Sequence, residues 1–145
     1  MKNGMLAVVA GLVAFMVIAT VAGLILRGTW PEYAAVADAM TFTLPMMFAR
    51  LSIGALATLA AGWLAAFVAR RSRLAALTTG LILLALFIPQ HIMLWARFPV
   101  WYHLTFLFSL VPLAYLGGTI ASRWHTVEAP RGGPMTPAAQ RRSTG

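Results

Sequence analysis

The sequence predicts an all-α protein: an integral membrane four-helix bundle with a short periplasmic interfacial helix and a disordered C-terminal tail. Three observations predict it. Hydrophobic residues fill 61% of the 145 positions and charged residues only 10%, against about a quarter charged in soluble domains. The apolar residues fall into four runs, about 4–26, 45–69, 74–96 and 100–122, each close to the roughly 20 residues a helix needs to cross a bilayer. The basic residues gather where runs end, above all at Arg70, Arg71 and Arg73, as cytoplasmic loops do.

One transmembrane domain, residues 1–122, accounts for the four runs, and a disordered basic cytoplasmic tail, 123–145, follows it. The formal charge of +8 would suit nucleic acid if the basic side chains shared a polar face. They stand instead at span ends, which is a topology signal, so no nucleic-acid partner is expected. The absence of cysteine excludes disulfides, thiolate metal sites and cysteine nucleophiles.

The first run follows Lys2 and carries one polar side chain, Thr20. A secretory signal has an apolar core of about 7–15 residues; residues 4–26 exceed that, so an uncleaved span is expected. In the connection that follows, Thr29-Trp30-Pro31-Glu32 reads as a capping box, with Thr29 at the N-cap and Glu32 reaching back. Trp30, Tyr33, Ala34, Ala37 and Met40 then recur at helical spacing. They predict an interfacial helix over about 30–40 on the outer membrane surface, with Trp30 and Tyr33 at headgroup level.

The second span starts at Thr43-Leu44-Pro45, where proline loses no helical donor. Steps of about 100° per residue put Gly54, Ala57, Thr58, Ala61, Gly62, Ala65 and Ala69 on one arc and Ile53, Leu56, Leu59, Trp63 and Phe67 on the other. Small residues let backbones approach closely, so the first arc should face protein and the second lipid. Arg50 shares the small arc, one turn before Gly54. It either extends to the interface or belongs to a polar site, paired with Asp38 or Glu32.

In the third span Thr78 and Thr79 can bond back to the preceding turn. Pro89 should kink or end the regular helix, and Gln90 and His91 follow it. Arg97-Phe98-Pro99 is too short for anything but a tight turn, so the third and fourth spans are antiparallel neighbours. Trp101 and Tyr102 mark the outer interface of the fourth span, Pro112 interrupts it, and Trp124 marks the inner interface. Gly117, Gly118 and Ala121 continue the small-residue pattern, and His103 shares a face with Leu110, Ala114, Gly117 and Ala121.

With both termini cytoplasmic, Lys2, Arg70, Arg71, Arg73, Arg123, Arg131, Arg141 and Arg142 lie inside, and Arg27, Arg50 and Arg97 outside. Eight basic residues against three satisfies the positive-inside rule. The tail, with one acid at Glu128, would also favour an anionic inner leaflet.

Polar groups converge on the outer side: Glu32, Asp38, Arg50, Gln90, His91 and His103. His91 and His103 should lie about one to two helical turns below the surface, at similar depths. Two facing imidazoles could ligate haem iron or another metal, but no histidine stands on the other spans. No cofactor is expected. Met40, Met46, Met47 and Met93 could soften such a site toward copper, and equally fill apolar gaps, which is the simpler reading. Ser52, Ser109, Thr58, Thr78 and Thr79 have no base at a recognisable spacing, and no phosphate loop or zinc helix occurs. No enzymatic activity is expected.

The chain resembles small four-span inner-membrane proteins of bacteria. The likeness rests on the basic turn Arg70-Arg71-Ser72-Arg73 and on Pro112-Leu113-Ala114-Tyr115-Leu116-Gly117-Gly118 in the last span. It implies an inner-membrane location and no activity. Related sequences often carry an acidic residue late in the first span, where this chain has Ala22, Gly23 and Leu24. The expected function is that of a non-enzymatic accessory or self-associating subunit, whose partners are the lipid bilayer and a second copy or larger membrane complex. The alternatives are a transporter or channel subunit acting as an oligomer, and a haem- or metal-binding redox protein using His91 and His103. The small residues Gly54, Thr58, Ala61, Gly62, Ala65, Gly117 and Gly118 are the expected helix-packing positions.

Overall fold

The computed structural model describes residues 2–70 and 72–124. Arg71 and the sequence from His125 onward, with Glu128, Arg131, Arg141 and Arg142, lie outside the described residues, and so does nearly all of the expected tail. Five helices follow in order: α1 Lys2–Thr29, α2 Pro31–Ala37, α3 Leu44–Val68, α4 Arg73–Met93 and α5 Val100–Trp124. All but α2 are long and apolar enough to cross a membrane. Large apolar side chains are exposed on each of the four, among them Leu24, Leu56, Leu86 and Phe108. A surface of that kind is suited to lipid, which solvates apolar side chains without cost.

Helix α3 is the centre of the bundle and packs against α1, α4 and α5. Its small arc explains why. Gly54, Ala57, Thr58, Ala61, Gly62 and Ala65 are all buried, while Leu56, Trp63 and Phe67 on the opposite side are exposed. At the crossing with α5 the two backbones meet: a Cβ on Gly62 would run into the backbone of Ala114, and one on Gly117 into the carbonyl of Leu59. Only glycine permits that approach. Gly118 is buried beside them, with Ala76 of α4 against it. The predicted packing residues thus serve contacts within one chain.

The interior is layered along the helix axes. Ala7, Ala65 and Ala75 close the bundle at the end that carries Arg70 and Arg73. Phe15, Ala57, Ala61, Leu83, Phe106 and Leu110 fill the middle. Tyr33, Phe42, Met46, Phe98 and Tyr102 form an aromatic layer at the opposite end, beneath α2. The hydroxyls of Thr58 and Thr79, both fully buried, donate to the carbonyls of Gly54 and Ala75 one turn back, at 2.7 and 2.9 Å. This removes the cost of an unpaired polar group in an apolar interior.

Local details depart from the sequence reading. The capping box does not form: α1 continues through Thr29, so its hydroxyl donates backward to the Ile25 carbonyl at 2.8 Å. Trp30 becomes the N-cap of α2 and makes no side-chain cap bond. Helix α2 spans 7 residues and stops at Ala37, because Met40 takes a left-handed φ of 56° that turns the chain toward α3. The Tyr33 side chain is buried against the bundle. Of the two outcomes expected at Pro89, a kink or a helix end, the end does not occur: the helix runs on to Met93, and the Leu94 amide closes the last turn on the Gln90 carbonyl at 3.2 Å. Proline removes a single donor there, and the turn that follows is intact.

Candidate functional site

The end of the bundle beneath α2 gathers most of the polar side chains that the sequence singles out. Arg50 projects from the first third of α3 on the face that, one turn later, becomes the small arc. Its Nη1 donates to the Tyr33 hydroxyl at 2.7 Å and its Nε to the Tyr102 hydroxyl at 3.4 Å. Its guanidinium carbon stands 4.7 Å from the centre of the Phe42 ring, an attraction worth about 0.5–2 kcal/mol as the site is desolvated. The aromatic partners are held by each other. Phe42 stacks on Tyr33 at 5.0 Å and on Phe98 at 6.0 Å, and Phe98 stacks on Tyr102 at 4.9 Å. Arg97 ties this layer down by donating to the Ala39 carbonyl at 3.3 Å, joining the α4–α5 turn to the α2–α3 loop.

The expected partnership of Arg50 with Asp38 or Glu32 is not made. Asp38 pairs with Arg27 on the exposed surface, and among the described residues that is the one ion pair. The reason lies in α2. Its docked face presents Tyr33 inward and leaves Glu32 exposed, while α1, longer than expected, brings Arg27 to the level of Asp38. Arg50 is therefore a charged group, half-buried, whose neighbours are phenols and a ring face. A guanidinium has five N–H donors, and the two phenols take two of them.

His91 of α4 and His103 of α5 do converge. Their Nδ1 atoms lie 2.7 Å apart, with the rings nearly perpendicular at 82°. One ring must donate and the other accept, so the pair holds complementary tautomers. His103 is fully buried, stacked on Trp95 at 4.9 Å, and its Nε2 has no hydrogen-bond partner. His91 is held between Tyr102 and Phe106, at 6.3 and 4.8 Å. Two imidazole nitrogens on opposite sides of a metal, each bonded at about 2.0–2.1 Å, would be about 4 Å apart. The direct 2.7 Å contact occupies those nitrogens and does not fit that arrangement. No group of three metal-binding side chains occurs among the described residues.

A cavity of about 400 Å³ opens between these groups. Arg50, Tyr33, Tyr102, His91 and His103 form its polar end, and Leu12, Phe15, Ala19, Leu83 and Phe87 its apolar depth. The lining residues exposed at its edge are Met16 on α1 and Leu86 and Gln90 on α4, so its mouth lies between those two helices. Gln90 is thus at the rim, His91 and His103 in the wall, Arg50 at the head, and Asp38 outside. Volume and lining resemble those of small-molecule sites, which are largely apolar with a few convergent polar groups.

No protein-family model, curated protein or solved structure matches this chain. The functional reading therefore rests on the geometry.

Sequence reasoning missed Tyr33, Tyr102 and Phe42 as parts of the site, taking the tyrosines for interface markers. A signal was present. An arginine on a protein-facing arc needs acceptors, and once the acids are assigned elsewhere, phenols at the same depth are what remains. The span hydroxyls behave as expected: Ser52, Ser109 and Thr78 each donate to a backbone carbonyl within their own helix.

Proposed function

We propose that this chain is a non-enzymatic integral membrane protein of the bacterial inner membrane, with both termini cytoplasmic. It acts as an accessory or self-associating subunit by holding a small lipophilic molecule in the cavity under its outer surface. The observation that carries this reading is Arg50. An arginine within a span costs about 2.5–3.5 kcal/mol near the membrane centre, and a purely topogenic one would extend its guanidinium into water at the helix end. Arg50 turns instead to Tyr33 and Tyr102 at the head of an apolar cavity. The orientation is supported by the basic turn at Arg70 and Arg73, which stands at the end opposite Arg27, Arg50 and Arg97. A transport path is disfavoured, because the half of the bundle below the cavity is closed by alanines at 7, 65 and 75.

Native mass spectrometry of the protein released from its own membrane tests the reading. One non-covalent adduct per chain is expected on the unaltered protein and should be absent on Ala19→Trp, which fills the cavity. A folded protein that carries no adduct under any extraction would refute it.

A further inference from the structure

We infer that the cavity is built for a single-tailed amphiphile with one carboxylate head, a class that includes free fatty acids; this rests on the binding reading above and specifies its ligand. Around Arg50 the polar end of the cavity is rich in donors. Arg50 keeps three N–H groups beyond the two that Tyr33 and Tyr102 accept. Each phenol, having accepted from Arg50, still has its own O–H to give, and no acceptor among the described residues takes either hydrogen. Five donors and one positive charge therefore meet with no carboxylate beside them, since Asp38 is held by Arg27. A donor-rich, cationic cluster of that kind favours an acceptor-only, anionic group.

Charge sets the number of negative units. Arg50 is the one arginine or lysine lining the cavity, and the hydrogen bond that His91 and His103 share requires the accepting ring to be neutral. A monoanion balances Arg50, whereas a phosphate dianion would leave an uncompensated charge against Phe98 and Phe106. A neutral head such as an ester or alcohol would leave the guanidinium without a counter-ion. The planar, two-oxygen carboxylate also matches the fork of the guanidinium. The rest of the cavity is suited to a hydrocarbon tail: Leu12, Phe15, Ala19 and Leu83 line its depth. The mouth between α1 and α4 is edged by the exposed apolar side chains of Met16 and Leu86. A ligand can thus enter sideways from the lipid with its head sliding past Gln90 to Arg50.

The full chain in lipid nanodiscs, titrated with dodecanoate, methyl dodecanoate and dodecyl phosphate, decides the matter. Dodecanoate should bind saturably at one per chain and at least tenfold tighter than the ester, and tighter than the phosphate. Arg50→Gln should abolish the preference for acid over ester, and Arg50→Lys should keep most of it. Equal binding of acid and ester by the unaltered chain, or an unchanged preference in a folded Arg50→Gln, overturns the inference. If Arg50→Gln does not fold, the comparison of acid with ester on the unaltered chain still decides. Tighter binding of the phosphate would reassign the head group. A native adduct that dodecanoate fails to displace would refute the carboxylate while leaving the binding reading intact; failure of both would remove both.

Discussion

Tyr33 and Arg50 stand 17 positions apart in the chain and meet at 2.7 Å, the phenol oxygen of α2 accepting from the guanidinium of α3. That bond turns a surface helix of 7 residues into the roof of the bundle, because Tyr33 also stacks on Phe42 and is almost wholly buried. Tyr102 meets the same guanidinium at 3.4 Å, a much weaker geometry.

The two phenols should therefore separate in a stability measurement. Tyr33→Phe removes a short bond to a charged group and should lower stability by about 1.5–3 kcal/mol. Tyr102→Phe should cost less than about 1 kcal/mol, since the bond it loses is long. Thermal unfolding in detergent, followed by tryptophan fluorescence, gives the order directly. Equal losses would mean that the hydroxyls contribute nothing specific to the ring packing.

The glycines divide sharply. Gly62→Ala forces a methyl group against the Ala114 backbone, which cannot swing aside as a side chain can, so a loss of about 1–3 kcal/mol or more is expected. Gly28→Ala meets nothing within 4 Å and should be neutral or stabilising by at most about 1 kcal/mol, the difference in helical preference. Melting temperatures of the two variants in one detergent provide the check, and a Gly62→Ala protein as stable as its parent would contradict the α3–α5 crossing.

His91 and His103 should be energetically coupled. Replacing either by leucine leaves the other with a buried, unpaired Nδ1, at a cost of about 1–3 kcal/mol. Replacing both removes that orphan, and it also removes His103 Nε2, already without a partner. The double variant should lose less than the sum of the single losses, by about 0.5–3 kcal/mol. Strict additivity in the cycle would show that the 2.7 Å contact carries no energy.

What the sequence made readable, and what it did not, follows from how local each constraint is. The four long helices and the buried arc of α3 follow from run length and from a period that each segment carries within itself. The meeting of His91 with His103 also needed only two antiparallel helices and a short turn at Arg97-Phe98-Pro99. The roof did not yield. Whether Thr29 caps α2 or ends α1 depends on how far α1 runs, and the partner of Asp38 depends on the same extension, through Arg27. Which face of α2 docks then decides whether Tyr33 or Glu32 reaches Arg50. These are tertiary choices among locally similar options, and a propensity argument has no term for them.

The orientation of the bundle admits a clean test because the chain has no cysteine, so a single introduced thiol is the only one to react. Ser72 lies in the turn between α3 and α4, beside Arg73, and Ala96 in the turn between α4 and α5, beside Arg97. The positive-inside rule weighs cationic residues in short loops next to span ends, and the Arg70–Arg73 turn is the densest such loop. In intact cells a membrane-impermeant maleimide should therefore label Ala96→Cys and spare Ser72→Cys. Permeabilised cells should show both labelled, which guards against mistaking a buried thiol for a cytoplasmic one. Labelling of Ser72→Cys alone in intact cells would invert the bundle. It would then place the cavity and Arg50 at the cytoplasmic leaflet, and the ligand would be drawn from the other face of the membrane.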